Sequence, residues 1–328
     1  MRAAWYDARG PAREVLRVGE LPLPVPGPGE LRVRVAASGV NRGDVGKRGG
    51  AWSSEMPFPR VIPHGDGAGV VEAVGAGVSQ TRVGEHAWVF LAQSYRPFGT
   101  AAELVVVPAE HAVPLSEEVP FEQGACLGIP GITGHRAIFA DGPVDGRTVV
   151  VTGAVGAVGR AAVAVARRGG ARVIASVRRP EHVDLALDAG AHHAIDASAG
   201  DVAARIEAIA GRDGVDRVAE VAFEANVDTD LRILALGGTI ATYATDGGRR
   251  PSLPFWELGF KNVTIRCLSN DDFPADANRA AARALTEALE AGDLRYPIAA
   301  RHALAEIADA HEAVERDGGG AGRVVVVP

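Results

Sequence analysis

A glycine-rich segment that joins an apolar strand to a helix constrains the fold of this chain more than any other feature. The apolar run ends near residue 152, and Gly153, Gly156 and Gly159 follow before a helix predicted over about 157–168. Gly156 lets the backbone approach a pyrophosphate, and Gly159 lets the helix pack close to the strand. The free N–H groups of the first helical turn then face the phosphates. The segment therefore predicts a dinucleotide-binding site.

The rest of the chain divides into two patterns. After residue 148, apolar runs such as RVIASV at 172–177 alternate with helical patterns. Repeated strand–helix units with all-apolar strands predict a parallel sheet covered on both faces. The first third instead shows short alternating runs, for example LRVRVAA at 31–37, which favour a barrel-like or sandwich domain. A chain of 328 residues is long enough for both domains.

The second strand of the parallel unit bears on which dinucleotide binds. In NAD-binding proteins an acidic residue about 20 positions after the glycine loop holds the ribose 2′-hydroxyl. The corresponding stretch here has no acid and offers Ser176, Arg178 and Arg179 instead. A guanidinium supplies fork-shaped donors to a 2′-phosphate, which a carboxylate would repel. The stretch favours NADPH, and the alternative is that the two arginines are ordinary solvated charges.

Charge and cysteine content exclude several function classes. With 34 Lys and Arg against 41 Asp and Glu, the net charge of −7 argues against a nucleic-acid partner. Two cysteines, Cys126 and Cys267, are too few for a disulfide framework or a four-cysteine zinc site. The first residues lack the apolar core of a signal peptide, and no apolar run approaches a membrane span. We expect a cytoplasmic protein with no membrane partner.

Six motifs resemble those of one enzyme superfamily. They are SGVNRGD at 38–44, PHGDGAGVVEAVG at 63–75, ACLGIPGITGHRA at 125–137, TGAVGAVG at 152–159, LGGTIA at 236–241 and GAGRVVVV at 320–327. Together they resemble the medium-chain dehydrogenase/reductase superfamily, and within it the zinc-independent quinone oxidoreductases of the zeta-crystallin type. The resemblance implies an α/β protein with a GroES-like, mostly β catalytic domain built from residues 1–118 and 266–328. A Rossmann domain with a doubly wound parallel sheet would occupy residues 119–265. The resemblance also implies a homodimer, formed through the edge strand near 263–268.

The positions that match zinc ligands carry other residues. Where zinc-dependent relatives have Cys, His and Cys, this chain has Asn41, Gly65 and Ile129, so no metal is expected. Without a Lewis acid, simple alcohol oxidation is disfavoured. The reaction class that remains is hydride delivery from the cofactor to an acceptor that conjugation has already made electron-poor.

The resemblance also implies which residues contact the cofactor. Asn41 would lie beside the nicotinamide ribose, Thr133 near the nicotinamide, and Arg323 against a phosphate. The other implied contacts are Val155, Gly156, Ala157 and Val158 at the pyrophosphate, Tyr243, Ala244 and Thr245 on the nicotinamide side, and Leu268 and Ser269 nearby. The alternatives are a packed core aromatic for Tyr243 and a surface charge for Arg323.

The substrate side departs from the relatives, and no catalytic residue is assigned. Many relatives carry a tyrosine, a candidate proton donor, two residues after the acid of SGVNRGD, and here that position is Gly46. Substrate-side candidates are Tyr95 in the loop at 91–99, His64, Lys47, Trp52 as a flat apolar wall, and His135. A structural role is the alternative for both histidines, and an exposed loop position is the alternative for Tyr95.

These observations predict an NADPH-dependent, metal-free quinone oxidoreductase whose partner is a small quinone or conjugated carbonyl compound. One alternative is an NADPH-dependent reductase of activated alkenes, namely enones, enals or enoyl thioesters. The missing tyrosine makes enoyl-thioester reduction less secure, whereas a hydroquinone oxyanion can take its protons from water. A second alternative is an NADPH-binding structural or regulatory protein with little turnover.

Overall fold

The computed structural model describes residues 1–246, 248, 250–316 and 321–328. Gly320, the first residue of the last sequence motif, lies outside the described residues. The chain forms two units, each with its own core. Unit 1 comprises Met1–Pro130 and Tyr296–Pro328, and unit 2 comprises Gly131–Arg295.

Strands occur throughout both units. In chain order they are β1 (Arg2–Trp5), β2 (Arg17–Glu20), β3 (Glu30–Val40), β4 (Asp66–Val74), β5 (His86–Val89), β6 (Leu104–Pro108), β7 (Ala112–Pro114), β8 (Thr148–Thr152), β9 (Arg172–Val177), β10 (His193–Asp196), β11 (Val215–Glu220), β12 (Leu234–Thr242), β13 (Thr264–Cys267), β14 (Ile298–Ala303) and β15 (Arg323–Val327).

Most of the helices lie in unit 2. In chain order the α-helices are α1 (Ala12–Val15), α2 (Arg42–Gly49), α3 (Phe121–Gly124), α4 (Gly128–Phe139), α5 (Ala157–Arg168), α6 (Val183–Asp188), α7 (Val202–Ala210), α8 (Phe223–Ile233), α9 (Phe255–Phe260), α10 (Ala275–Glu290) and α11 (Ile307–Arg316). Within the ranges that the structure describes, no helix is long and apolar enough to cross a membrane.

Unit 2 is built on a parallel sheet. Its described strands pair in the order β10-β9-β8-β11-β12-β13, and every neighbouring pair is parallel. The central strand β8 is apolar and buried on both faces, with Val149, Val150 and Val151 fully inaccessible. Such strands need helices on both sides of the sheet. The strand order, which reverses between β8 and β11, is that of a doubly wound Rossmann fold, so the predicted α/β class is confirmed.

Unit 1 is mostly β structure. Its larger sheet runs β14-β15-β3-β4-β5-β7 among the described residues, with β6 also pairing with β3. The long strand β3 alternates inward apolar and outward polar residues, and its Leu31 and Val33 are fully buried. The last strand, β15, pairs antiparallel with β3. Both chain ends therefore build one sheet, as predicted for the GroES-like domain.

The units divide the chain at positions that differ from the expected domain boundaries. Residues 119–130 belong to unit 1, because helix α3 packs on β3 and β4. Residues 266–295 belong to unit 2. Strand β13 pairs with β12 as the last strand of the parallel sheet, and α10 packs on α5. The predicted edge strand near 263–268 thus lies in the parallel sheet, and the expected boundary between residues 265 and 266 cuts through it.

Candidate functional site

The glycine-rich turn of unit 2 forms a cradle of backbone groups. Gly153 follows β8 with a φ of 60°, a conformation that favours glycine. Gly156 is the N-cap residue of α5, and no side chain caps this helix end. A Cβ on Gly159 would collide with the carbonyl oxygen of Gly153 and the Cα of Ala154. The helix therefore starts close to the strand, with an uncapped first turn that can receive an anion.

Two exposed arginines follow the strand that comes after this helix. Ser176 lies buried in β9, and its carbonyl oxygen accepts a hydrogen bond of 3.2 Å from the amide of Ala154. Arg178 and Arg179 follow the end of β9 and are exposed to solvent. This end of β9 adjoins the turn after β8, because the two strands are parallel neighbours. The structure thus brings Ser176, Arg178 and Arg179 to the same edge of the sheet as the glycine turn.

The other predicted cofactor residues of unit 2 lie at the same edge or on α4. Tyr243, Ala244 and Thr245 follow β12, and the amide of Leu268 donates to the carbonyl oxygen of Thr242, at 2.9 Å. Ser269 comes next and is exposed. Burial raises the pKa of the Tyr243 hydroxyl far above its ordinary value, and the Glu220 carboxylate adds to the rise, so the phenol stays neutral. The ring of Tyr243 remains half-buried, so it is not a fully enclosed core aromatic.

Two predicted residues lie on α4. Thr133 is buried there. His135 is buried too, and its ring packs on Phe139 with centroids 4.8 Å apart. Burial lowers the pKa of His135 to about 4, so the ring is neutral at physiological pH. These surroundings fit the structural role of His135.

In unit 1, Asn41 sits at the centre of a buried polar cluster. Its backbone amide donates to Asp44, its side-chain Nδ2 donates to Asp66 Oδ2 at 2.7 Å, and its Oδ1 accepts from Arg323 at 2.7 Å. The Cys126 thiol lies near the Arg323 guanidinium. Arg323 is almost fully buried, so its surface-charge alternative is wrong. Its contact with a phosphate stays a prediction.

The two carboxyl groups of this cluster have raised pKa values. Burial raises the pKa of Asp66 to about 7, and the neighbouring Asp44 contributes to the rise. Burial also raises the pKa of Asp44 to about 6. The Asp66 carboxylate accepts from the amide of Ile129 at 2.9 Å, as well as from Asn41. Because only a few donors stabilise such a buried carboxyl, the stability of the fold around it changes when the carboxyl gains or loses its charge.

His64 belongs to a second chain of hydrogen bonds in unit 1. Thr100 Oγ1 donates to the Asp66 carbonyl oxygen at 2.5 Å, so it must accept from Ser38, which in turn accepts from His64 Nδ1. The other nitrogen of His64 then accepts from His311 Nε2, at 3.0 Å. Burial lowers the pKa of both histidines, that of His311 to about 3. Both nitrogens of His64 are therefore occupied in the neutral ring, which fits its structural alternative.

The remaining substrate-side candidates lie nearer the surface of unit 1. Trp52 is 58% exposed, and a Cβ on Gly46 would lie only 2.7 Å from its Cη2 atom. The indole therefore rests directly on the helix position where many relatives carry a tyrosine. Lys47, the next residue, donates to the carbonyl oxygen of Gln93 at 3.4 Å. Tyr95, two residues further along that loop, is 74% exposed with a φ of 51°.

The positions that match zinc ligands are packed with other groups. A Cβ on Gly65 would lie 3.1 Å from Cδ1 of Ile129, so the isoleucine side chain fills the space beside this glycine. Asn41 is engaged by Asp66 and Arg323. In the described ranges, no cluster of three or more His, Cys, Asp or Glu side chains is arranged to hold a metal ion.

Sequence reasoning missed several buried polar residues. Asp66 and His311 anchor networks in unit 1, and Glu220 and Asp230 face each other in unit 2. One of them left a signal in the sequence. Asp230 lies three residues after Val227 and three before Ile233, both buried, so an acid occupies the apolar face of α8. The partners of the others lie too far away in sequence to be recognised.

Comparisons with known proteins agree with this geometry. The alcohol dehydrogenase GroES-like domain family matches residues 27–117, and the zinc-binding dehydrogenase family matches residues 157–284. The human quinone oxidoreductase is 30% identical over 98% of this chain and 96% of its own length. Among solved structures, an NAD-dependent alcohol dehydrogenase superposes with a TM-score of 0.88 at 27% identity, covering all of both chains. A mycobacterial protein complexed with NADPH superposes with a TM-score of 0.84 at 28% identity, again covering all of both chains.

Proposed function

This chain belongs to the quinone oxidoreductases of the medium-chain dehydrogenase/reductase superfamily, and on that premise we propose that it reduces quinones with NADPH and without a metal. That it is an oxidoreductase follows from the family. The cofactor and the acceptor are the proposal. The observation that carries it is the uncapped backbone cradle at the start of α5, together with two arginines and no acid directly after the next strand, β9.

The residues present fit NADPH. The first turn of α5 contains no acidic side chain and no side-chain cap, so the N–H groups after Gly156 are available to a pyrophosphate. Arg178 and Arg179 are exposed at the neighbouring strand end, where a 2′-phosphate could take both guanidinium groups. Bound there, NADPH supplies a hydride to the acceptor, which becomes a hydroquinone after taking up one proton from water.

The chain's own contribution on the substrate side is a flat apolar surface. The indole of Trp52 lies against Gly46 and is 58% exposed, and such a ring can stack on a planar quinone. The ammonium group of Lys47 is tethered to the loop at 91–99 through Gln93, and it can stabilise negative charge that develops on a quinone oxygen. Neither Gly46 nor Trp52 supplies an acidic proton. This favours quinones over enoyl thioesters, which need a positioned acid.

We also propose a homodimer formed along β13. This strand is the last of the parallel sheet among the described residues, so its outer edge has unpaired backbone groups. Exposed aromatic side chains precede it on α9: Phe255, Trp256 and Phe260, each about two-thirds or more accessible. Exposed apolar groups of this size mark interaction surfaces.

Sedimentation should show a dimer, and the double variant Trp256→Ser with Phe260→Ser should shift it toward the monomer. A wild-type monomer would overturn the dimer.

The activity is tested by following the absorbance of NADPH and NADH with a set of acceptors. We expect rapid NADPH oxidation with naphthoquinone and phenanthrenequinone, slower reaction with cyclohexenone, and least with crotonyl-CoA. A preference for the enone or the thioester would favour the activated-alkene alternative. Tight NADPH binding without oxidation by any acceptor would favour the structural or regulatory alternative. Equal use of NADH would contradict the assignment of Arg178 and Arg179.

A further inference from the structure

Two buried acids face each other in unit 2. Glu220 ends β11 and Asp230 lies on α8, and both are at most 1% exposed. Their side chains are in hydrogen-bond contact with each other. One oxygen of each, Glu220 Oε2 and Asp230 Oδ2, receives no N–H or O–H hydrogen bond from the described residues. Two carboxylates cannot stay ionised side by side in such surroundings, because each would raise the cost of the other's charge.

The donors around the pair identify which acid keeps the negative charge. Glu220 Oε1 accepts hydrogen bonds from the backbone amide of Ala222 and from Asn226 Nδ2, the latter at 3.0 Å. Asp230 Oδ2 receives no hydrogen bond from the residues that the structure describes, and burial raises the pKa of Asp230 well above its ordinary value, with the Glu220 charge raising it further. Glu220 is therefore the ionised partner, and Asp230 holds the proton that lies between them.

The pair is connected to the edge of the sheet that carries the glycine turn. Thr152, the last residue of β8, bonds to both chain neighbours of Glu220: its Oγ1 donates to the Ala219 carbonyl oxygen at 3.2 Å and accepts from the amide of Val221 at 3.0 Å. The backbone carbonyl oxygen of Glu220 accepts from the amide of Tyr243 at 3.2 Å, just after β12. The next residue, Val221, packs on Gly153, where a Cβ would lie 2.9 Å from Val221 Cγ1. A displacement of Glu220 would thus move three neighbouring strand ends.

We propose that Glu220 and Asp230 share one proton and act as positioning residues for the edge of the unit 2 sheet that carries the glycine turn, so that NADPH binding weakens when this proton is lost. The inference rests on the cofactor site proposed above. With the proton present, Asp230 donates to Glu220 and fixes the carboxylate that holds the turn after β11. Without it, two buried negative charges repel each other, the turn moves, and a further negative charge lies near the bound phosphates.

In the described part of the chain, other ionisable groups lie on the elements around the pair. The Lys261 ammonium group donates to the carbonyl oxygen of Leu231 on α8 at 2.7 Å. Tyr243 faces the pair from the end of β12, and Glu224 lies on α8 in its first turn. Strand β8 contributes Thr152, which does not titrate. Helix α7 packs against α8, and its Glu207 is paired with Arg232 at 2.8 Å on the surface. None of these groups is changed by a substitution at position 230, so a comparison of variants isolates the shared proton.

The variant Asp230→Asn tests the proposal, because an amide N–H can replace the acid O–H without titrating. The wild-type dissociation constant for NADPH should rise with pH, by up to about tenfold per pH unit, once the pair begins to lose its proton. Asp230→Asn should bind within about threefold of wild type near neutral pH and lack this rise. Asp228→Asn removes an exposed carboxylate from the same helix and should keep the wild-type profile. Identical pH profiles for wild type and Asp230→Asn would overturn the proposal.

A second measurement does not depend on the cofactor. Infrared difference spectra of the cofactor-free protein near neutral pH should show a protonated-carboxyl band to which Asp66 and Asp44 also contribute, because burial raises their pKa values. The band should be weaker in Asp230→Asn and unchanged in Asp228→Asn. An unchanged band in Asp230→Asn would also overturn the shared proton. If wild type fails to bind NADPH at every pH, the proposed function is wrong, and the infrared band still tests the pair. If NADPH binds but the band has the same intensity in Asp230→Asn as in wild type, only the inference about the pair is wrong.

Discussion

The sheet edge of unit 2 around Gly153, Gly156 and Gly159, where we propose that the cofactor binds, and the polar interior of unit 1 are built in opposite ways. We call the first of these the cofactor edge. The edge of unit 2 is made largely of backbone: Gly153 turns the chain, Gly156 begins α5, and Gly159 lets the helix pack closely. The interior of unit 1 is made of side chains, with Asn41 held between Asp66 and Arg323. A site built from backbone is sensitive to an added atom, whereas a site built from buried carboxyls is sensitive to protonation. The two regions should therefore fail under different perturbations.

The largest effect is expected from the titration of Asp66. Because burial raises the pKa of Asp66 to about 7, the folded state binds the proton more tightly than the unfolded state, whose carboxyl titrates near 4. The protonated Asp66 carboxyl makes its full contribution to the free energy of unfolding below about pH 4. This contribution, on the order of 4 kcal/mol, is lost as the pH rises through about 7. Denaturant unfolding at a series of pH values measures this loss.

The variant Asp66→Asn should remove the part of the pH dependence of the free energy of unfolding that comes from Asp66. The exposed Glu117→Gln variant, which also removes one carboxylate from unit 1, should keep the wild-type slope. A wild-type slope in Asp66→Asn would show that the interior of unit 1 does not depend on the charge of Asp66, and the contrast between the two regions would disappear.

Gly159→Ala should give the next largest effect. The added Cβ meets the backbone of Gly153 and Ala154, which cannot move aside as a flexible side chain could. This overpacking should lower the free energy of unfolding by about 3 kcal/mol. Because the same turn forms the proposed phosphate site, NADPH affinity should fall about a hundredfold. The control is Gly259→Ala, where the new Cβ meets nothing within 4 Å. Fluorescence titration with NADPH and thermal unfolding measure both outcomes, and equal behaviour of the two variants would contradict the close approach.

The double variant Arg178→Ala with Arg179→Ala tests the one part of the cofactor edge that depends on side-chain charge. Loss of two partly solvated guanidinium contacts should cost about 2 kcal/mol, or about thirtyfold in NADPH affinity, and leave NADH affinity unchanged. Arg212→Ala removes another exposed arginine of unit 2 and should have little effect. Unchanged NADPH affinity in the double variant would show that the arginines are ordinary solvated charges.

Gly46→Ala should give the smallest effect, at the surface of unit 1. The new Cβ would lie 2.7 Å from the Trp52 ring, so the indole must shift. If Trp52 stacks on the quinone, KM for naphthoquinone should rise about fivefold, or about 1 kcal/mol, with little change in kcat. Gly49→Ala lies in the same helix, and its Cβ meets nothing within 4 Å. Matching kinetics for the two variants would remove Trp52 from the substrate side.

Features that depend on neighbouring residues were predictable. The helix predicted over about 157–168 is α5, Ala157–Arg168, because the glycine turn, the apolar strand and the amphipathic period all lie within one segment. The doubly wound class followed from the alternation of buried strands with helices. The boundary after β13 was not predictable, since helix α10 belongs to unit 2 through its packing on α5, a contact between segments far apart in sequence.

Side-chain partners across the fold were predicted least well. Arg323 was expected at a phosphate or on the surface, and it lies buried against Asn41, 282 positions away in the chain. His64 has hydrogen-bond partners that come from β3 and α11. A histidine or an arginine looks the same in a sequence whether its partners are solvent, substrate or a buried carboxylate, because those partners are assembled only by folding.

The sequence by itself determined the glycine cradle, the absence of an acid after it, and the loss of the usual tyrosine at Gly46, since each depends on which atoms a residue has or lacks. The tertiary structure decided that Trp52 rests on that glycine, that Asp66 is enclosed, and that Glu220 meets Asp230. Burial and charge proximity are properties of packing, and the protonation states that follow from them arise only when distant segments come together.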